Sequence, residues 1–322
     1  MVLTMAYSGS HGVHLYSIAD SNALGSGVVY AGDDPALNPF SRLNGQYATI
    51  ALRGNGAFSI YHALQLRVKT NNLAKTGLSF TSNYTWSHAI DNLSSTFSES
   101  PNNFYAGFLD FLNPGQDRGD AEFDLRHRLI IGAIWESPLF VKSKNHWLAG
   151  TLGGWELAPI FEVESGIPFS IFDCRLAAES CPRYIPSQPV KTTGHPVPSG
   201  SPNFFQYISL SPAVPYQNPR VGFSDFGDCS LVPAPPCPFP ANMSRRDAFR
   251  GPGKWALDLG IYKSFKLREG WTFQGRCELY NALNHSNFIV NKDQAEVSTN
   301  PFFVSARKVG QRNVQLAVKI VF

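Results

Sequence analysis

No stretch of this sequence approaches the roughly 18 uninterrupted apolar residues that a membrane-crossing helix requires. Mean hydropathy is −0.15. Helical membrane spans are therefore excluded. Charge is scarce as well: Asp, Glu, Lys and Arg make up 16% of the 322 residues, with 27 basic against 24 acidic side chains. A disordered chain needs more charge and fewer aromatics than the 13% present here. No dense basic run exists, which argues against a nucleic-acid partner. A nucleophile elbow, a phosphate-binding loop and a His-Glu-x-x-His run are all missing, so no enzymatic activity and no cofactor is expected. Met1 to Gly9 carries no Lys or Arg, and its apolar part is too short and broken for a signal peptide.

What is present is turn chemistry and alternation. Gly (27) and Pro (23) are abundant without a collagen-like period. Period-two patterning predicts eight strands, near 1–8, 58–69, 77–87, 125–136, 153–165, 254–266, 271–284 and 313–322. In 77–87, Leu78, Phe80, Tyr84 and Trp86 oppose Ser79, Thr81, Asn83, Thr85 and Ser87. In 153–165, Trp155, Leu157, Phe161 and Val163 oppose Glu156, Glu162 and Glu164. Segment 125–136 is less regular, because Ile130 and Ile134 lie opposite Leu129, Ile131 and Trp135. Most segments exceed the 5 or 6 residues usual in soluble sheets and match the roughly 9–11 of a tilted bilayer crossing.

Alternation alone fits a soluble sandwich or a membrane barrel. Two patterns favour an all-β antiparallel transmembrane β-barrel. Connections alternate long and short along the whole chain: 9–57, 70–76, 88–124, 137–152, 166–253, 267–270 and 285–312. Outer-membrane barrels are built this way, with short turns on one side and large loops outside. Five of the six tryptophans (Trp86, Trp135, Trp155, Trp255 and Trp271) fall at strand ends with the parity of the apolar face, as an interfacial girdle would require. The alternative is that each caps the edge of a soluble core. Arg67, Lys69, Glu156, Glu162, Glu164 and Arg276 have the opposite parity and are expected to line a lumen as a solvated ion network.

Six further motifs run in order along the chain: Ala6-Tyr7-Ser8-Gly9-Ser10-His11-Gly12-Val13-His14-Leu15, Tyr61-His62-Ala63-Leu64-Gln65-Leu66, Tyr84-Thr85-Trp86-Ser87-His88-Ala89-Ile90-Asp91, Phe123-Asp124-Leu125-Arg126-His127-Arg128, Arg250-Gly251-Pro252-Gly253 and Glu278-Leu279-Tyr280-Asn281-Ala282-Leu283-Asn284-His285. On these the chain resembles the C-terminal barrel part of TonB-dependent outer-membrane receptors of the Oar-like group. The resemblance implies a cell outer-membrane location. It also implies partners: outer-membrane lipid, the barrel-assembly machinery, and in a full-length receptor a plug domain and TonB. The assembly machinery would read the alternating end of the last strand, Val318, Ile320 and Phe322. The ligand is unknown; a large nutrient such as an oligosaccharide or peptide is implied by analogy alone. Plug and signal peptide do not precede Met1, so residues 1–322 are expected to be a receptor fragment that does not perform energised uptake alone. A self-standing eight-stranded adhesin or anchor is the alternative, and a soluble carbohydrate-binding sandwich the third.

The remaining candidates lie in loops. Cys174, Cys181, Cys229 and Cys237 form two close pairs in the 166–253 connection. In an oxidising compartment Cys174–Cys181 and Cys229–Cys237 are expected disulfides, although four cysteines allow three pairings and a zinc site is the alternative. Cys277 has outward parity. The same connection, read as a long extracellular loop, holds 14 of the 23 prolines between Pro182 and Pro240, a density expected to exclude regular strand. His11 and His14 lack a third ligand, so no metal site is assigned. Asp117, Asp120, Glu122 and Asp124 form an acidic cluster for which loop solvation is expected and calcium is the alternative.

Overall fold

The computed structural model describes residues 1–21, 46–47, 50–94, 108–109, 113–172, 183–184, 190–200, 204–210, 243–268, 270–290, 295, 297 and 302–322. In chain order the strands are β1 (Val2–Asp20), β2 (Ala51–Thr70), β3 (Leu78–Asp91), β4 (Gly119–Asp120), β5 (His127–Glu136), β6 (Trp155–Glu164), β7 (Pro168–Phe169), β8 (Lys191–Pro198), β9 (Phe205–Ser209), β10 (Phe249–Arg250), β11 (Lys254–Arg268), β12 (Trp271–Tyr280), β13 (Asn287–Val290), β14 (Phe303–Val309) and β15 (Asn313–Val321). One short helix, α1 (His146–Leu152), joins β5 to β6.

The wall is an antiparallel meander in the order β1-β2-β3-β5-β6-β11-β12-β15, with β4 added beside β3. Each predicted strand has its counterpart. Residues facing each other across a ladder share a face, so the register extends the alternation across the sheet. Tyr7, Leu64, Trp86 and His127 form one row on the apolar face. Lys69 and Thr81, Arg67 and Asn83, and Arg128 and Glu164 pair on the polar face. Ile130 opposes Glu162 and Ile160 opposes Asp258, so these isoleucines do sit among polar neighbours.

Two expectations are corrected. The first hairpin is much longer than the apolar alternation suggests: β1 and β2 stay paired up to Asp20 and Ala51, with register breaks after Gly12 and Leu15. His14 adopts a left-handed φ of 54° there, and the apolar parity switches from Val13 and Leu15 to Tyr16 and Ile18 at the breaks, so no single alternation runs through the strand. The second correction concerns proline. Within 166–253 the chain forms β7, β8, β9 and β10, and within 285–312 it forms β13 and β14. The order β13-β14-β9-β8 leaves β8 on an edge, and its ladder with β9 breaks between Thr192 and Val197, around Pro196. An edge strand with a broken register is where a missing N–H can be tolerated.

The long connections also carry a hydrophobic core of their own. Phe169, Ile171, Tyr184, Tyr207, Ile208, Ala295, Val297, Val304 and Ala306 are buried together. They come from two connections that are distant in sequence, so each loop supplies the apolar surface the other buries. Both connections emerge from the same end of the wall. The opposite end carries the β2–β3 and β11–β12 turns and the α1 connection.

Candidate functional site

The densest chemistry among the described residues lies at the long-loop end, where arginines of the 166–253 connection meet aspartates next to β3, β4 and β5. Asp124 has no exposed side chain; its Oδ1 accepts from Ala89 N at 2.7 Å, and its Oδ2 accepts from Arg126 and Arg250. Asp120 takes Arg126 at 3.0 Å, Arg250, and His88 Nε2 at 2.9 Å. Asp91 takes Arg246 at 2.5 Å, and Arg246 also donates to Ser94 Oγ at 2.6 Å. Deepest is Arg183 with Asp117 at 2.6 Å, their side chains 4% and 5% exposed. Arg183 also donates to the carbonyls of Ser244 and Gln116.

Backbone fit completes this junction. A Cβ on Gly119 would collide with the Arg246 carbonyl, and one on Gly166 with the Gly251 carbonyl. Only glycine permits these two approaches. Burial acts to raise the Asp120 carboxyl. Hydrogen bonds from His88 and Arg250, with the charges of Arg250 and Arg126, outweigh it and hold the pKa below the usual 3.8. Burial acts to lower Arg246 and Arg250, but their aspartates outweigh it and keep both charged. Within the acidic cluster expected to be solvated, Asp117 and Asp124 are thus buried against arginine and Asp120 is half-buried beside two of them, while Glu122 is half-buried. Among the described residues no group of three or more metal-ligating side chains is arranged to hold an ion.

The aromatic residues fall in two rows on the apolar face. Trp86 and Trp255 lie toward the long-loop end, and Trp255 stacks on His285 at 3.9 Å. Near them the pairs Tyr7–His62 (2.7 Å) and Tyr84–His127 (2.8 Å) add hydrogen-bonded rings that sequence reading missed. Trp135, Trp155 and Trp271 lie at the short-turn end. There the Trp135 indole donates to Thr76 O at 3.2 Å and that of Trp155 to Thr151 O at 2.9 Å, while Trp271 packs on Phe322 at 5.4 Å. The ring bodies lie on the apolar face and the N–H groups reach turn carbonyls, the amphipathic placement an interface favours. Val318, Ile320 and Phe322 are exposed on the same face.

On the polar face two of the three glutamates pair with neighbouring strands. Glu162 binds Arg128 at 2.6 Å and Glu164 binds Lys254 at 3.0 Å, partners the sequence reading did not name. Arg67 and Lys69 lie on β2, separated from these glutamates by β3 and β5, and join no ion pair among the described residues. Glu156 faces Glu136 and Tyr262. Arg276 stacks over Tyr262 at 5.6 Å and donates to Gln274. Cys277 is a free thiol on the apolar face. Cys174, Cys181, Cys229 and Cys237 lie outside the described residues.

Among curated proteins the sequence has no match. Two solved structures resemble the chain at 10% identity. The outer membrane transporter YddB from Escherichia coli has a TM-score of 0.42, with 99% of this chain and 30% of that one covered. The ferric citrate transporter FecA in the unliganded form has a TM-score of 0.35, with 84% and 24% covered. The chain therefore spans less than a third of the length of either. The outer membrane beta barrel domain matches residues 1–315. With its strand meander, two-faced wall and long connections at one end, the chain belongs to the outer-membrane β-barrel domain family and resides in the outer membrane.

Proposed function

We propose that this chain is the C-terminal wall and loop layer of a TonB-dependent receptor that takes up a large nutrient, with an oligosaccharide or peptide as the ligand class. The observation that carries this is the pair of open edges. No ladder joins β1 to β15 among the described residues, and β15 throughout and β1 from Val2 to His11 are exposed. Leu316 is 76% and Met5 70% exposed. A barrel tolerates no unpaired edge in lipid, so further strands fit between β15 and β1 better than closure of these eight. Arg67, Lys69 and Glu156, which have no ion-pair partner on the polar face among the described residues, suit a lumen filled by a plug domain. The arginine-locked loop layer above the rim suits ligand capture from outside, with TonB acting from the short-turn side.

The test is closure. Cysteine pairs placed along the edges, such as Met5→Cys with Val318→Cys and Leu3→Cys with Ile320→Cys, should stay reduced in the refolded chain under mild oxidation. Intrachain disulfides in high yield would show that eight strands close alone, and would favour the adhesin or anchor reading.

A further inference from the structure

The β5–β6 connection carries an arrangement that neither a lumen nor a ligand explains. Residues 137–154 contain no Asp or Glu but include Lys142 and Lys144. They also expose six large apolar side chains: Leu139, Phe140, Val141, Trp147, Leu148 and Leu152, with Trp147 at 81%. In water so contiguous an apolar surface would be unfavourable, and soluble proteins seldom retain one.

The position of this segment is fixed by hydrogen bonds from the apolar face of the wall. Trp155 Nε1 donates to Thr151 O at 2.9 Å, and Lys263 Nζ donates to Gly153 O. Trp155 and Lys263 are cross-strand partners on that face, so the C-terminal end of α1 is held on the apolar side of the wall and not beneath the polar one. Lys263 also lies over the Trp155 and Phe265 rings at 5.6 and 5.2 Å, its charge directed toward the helix end. The turn before α1 is equally defined. Phe140 holds a left-handed φ of 59°, and a Cβ on Gly153 would press against Phe140 backbone.

We propose that the β5–β6 connection is a membrane-interface foot that lies among phospholipid headgroups at the short-turn end and prefers anionic ones. Leu139, Phe140, Val141 and Trp147 enter the boundary between headgroups and acyl chains, as apolar faces of interfacial helices do. Lys142 and Lys144 are exposed and form no ion pair among the described residues. With no carboxylate in the segment, their complement is the negative charge of the lipid surface, worth about fivefold in affinity per lysine. The inference rests on the outer-membrane location and uses neither the ligand nor the closure of the barrel.

The experiment uses the full chain refolded into phosphatidylcholine vesicles containing phosphatidylglycerol. The emission of Trp147 is taken as the difference from W147F and quenched in turn by dibrominated lipid and by aqueous acrylamide. Lipid preference is read with spin-labelled phosphatidylglycerol against spin-labelled phosphatidylcholine. The bromolipid should quench Trp147 strongly and acrylamide weakly, and K142Q/K144Q should cut the phosphatidylglycerol preference severalfold, toward parity, with strand content unchanged by circular dichroism. Quenching of Trp147 by acrylamide alone would overturn the foot. An unchanged lipid preference in K142Q/K144Q would overturn its selectivity for anionic headgroups.

Discussion

At the scale of single residues, the loop layer is held by guanidinium–carboxylate pairs whose partners lie far apart in sequence. Arg183 meets Asp117, and Arg246 meets Asp91. Removing one member of a buried pair leaves the other charge uncompensated, which typically costs about 3–5 kcal/mol. Arg183→Ala is therefore expected to destabilise the loop layer by about 3 kcal/mol or more, read as rapid proteolysis within 166–253 while the wall keeps its heat-modifiable gel mobility. Acid should act in the same place. A carboxyl with a depressed folded-state pKa stabilises above its unfolded value and loses that contribution as pH falls through the folded one. Asp120 is such a group, with an ordinary value of 3.8. Amide protection factors around β4 and β10, corrected for the intrinsic pH dependence of exchange, should be flat between neutral pH and about pH 5, then fall below about pH 4. Each half of this network is visible in the sequence, as the acidic run from Asp117 to Asp124 and as Arg250-Gly251-Pro252-Gly253. What joins them is a backbone approach at Gly119 and Gly166 that no local pattern encodes.

At the scale of elements, legibility follows the source of the order. Strands of the wall were readable because each carries its own two-faced pattern, independent of its neighbours. The loop strands were not. β8 contains Pro196 and Pro198, and β9 is only Phe205–Ser209. Their order depends on an apolar core assembled from two connections, with Ile208 and Val304 paired across β9 and β14. Both side chains are almost completely buried. Ile208→Ala should cost about 2–5 kcal/mol through lost burial and the cavity left behind. The effect should stay local: protease resistance of β8, β9 and β14 falls, and amide protection of β2, β3 and β5 does not. If the wall strands lost protection in step, loop layer and wall would be one cooperative unit. Separate units are expected because the core of the loop layer contains no wall-strand residue. The polar links between the two, Arg183, Arg246 and Arg250, can break without disturbing a wall ladder.

At the scale of the whole molecule, the spacing of the two aromatic rows gives an expected thickness for the apolar band. On β5, His127 lies opposite Trp86, and Trp135 follows it by eight residues; on β6, Trp155 precedes Val163, opposite Trp255, by the same eight. At about 3.4 Å per residue this is about 27 Å along a strand. A tilt of about 35–45° reduces it to about 20 Å along the bilayer normal, close to the roughly 25 Å apolar band of outer-membrane barrels. Agreement between two separate strand pairs makes this a property of the wall and not of one tryptophan. A hydrophobic span of that height is mismatched to thick bilayers, at a fraction of a kcal/mol per Å. Refolding yield, read by heat-modifiable mobility, should therefore be highest in vesicles of short-chain phosphatidylcholine such as the dilauroyl lipid and should fall with chain length. Charging one row should lower the yield further, because Trp135→Arg or Trp255→Arg brings a cation to the edge of the band, whereas Leu259→Arg brings it to the middle. Arginine at mid-depth costs about 2–4 kcal/mol and near an interface about 0–1. Leu259→Arg should thus abolish refolding that both tryptophan variants retain. Equal loss in all three would mean that the tryptophans do not mark the edges of the apolar band.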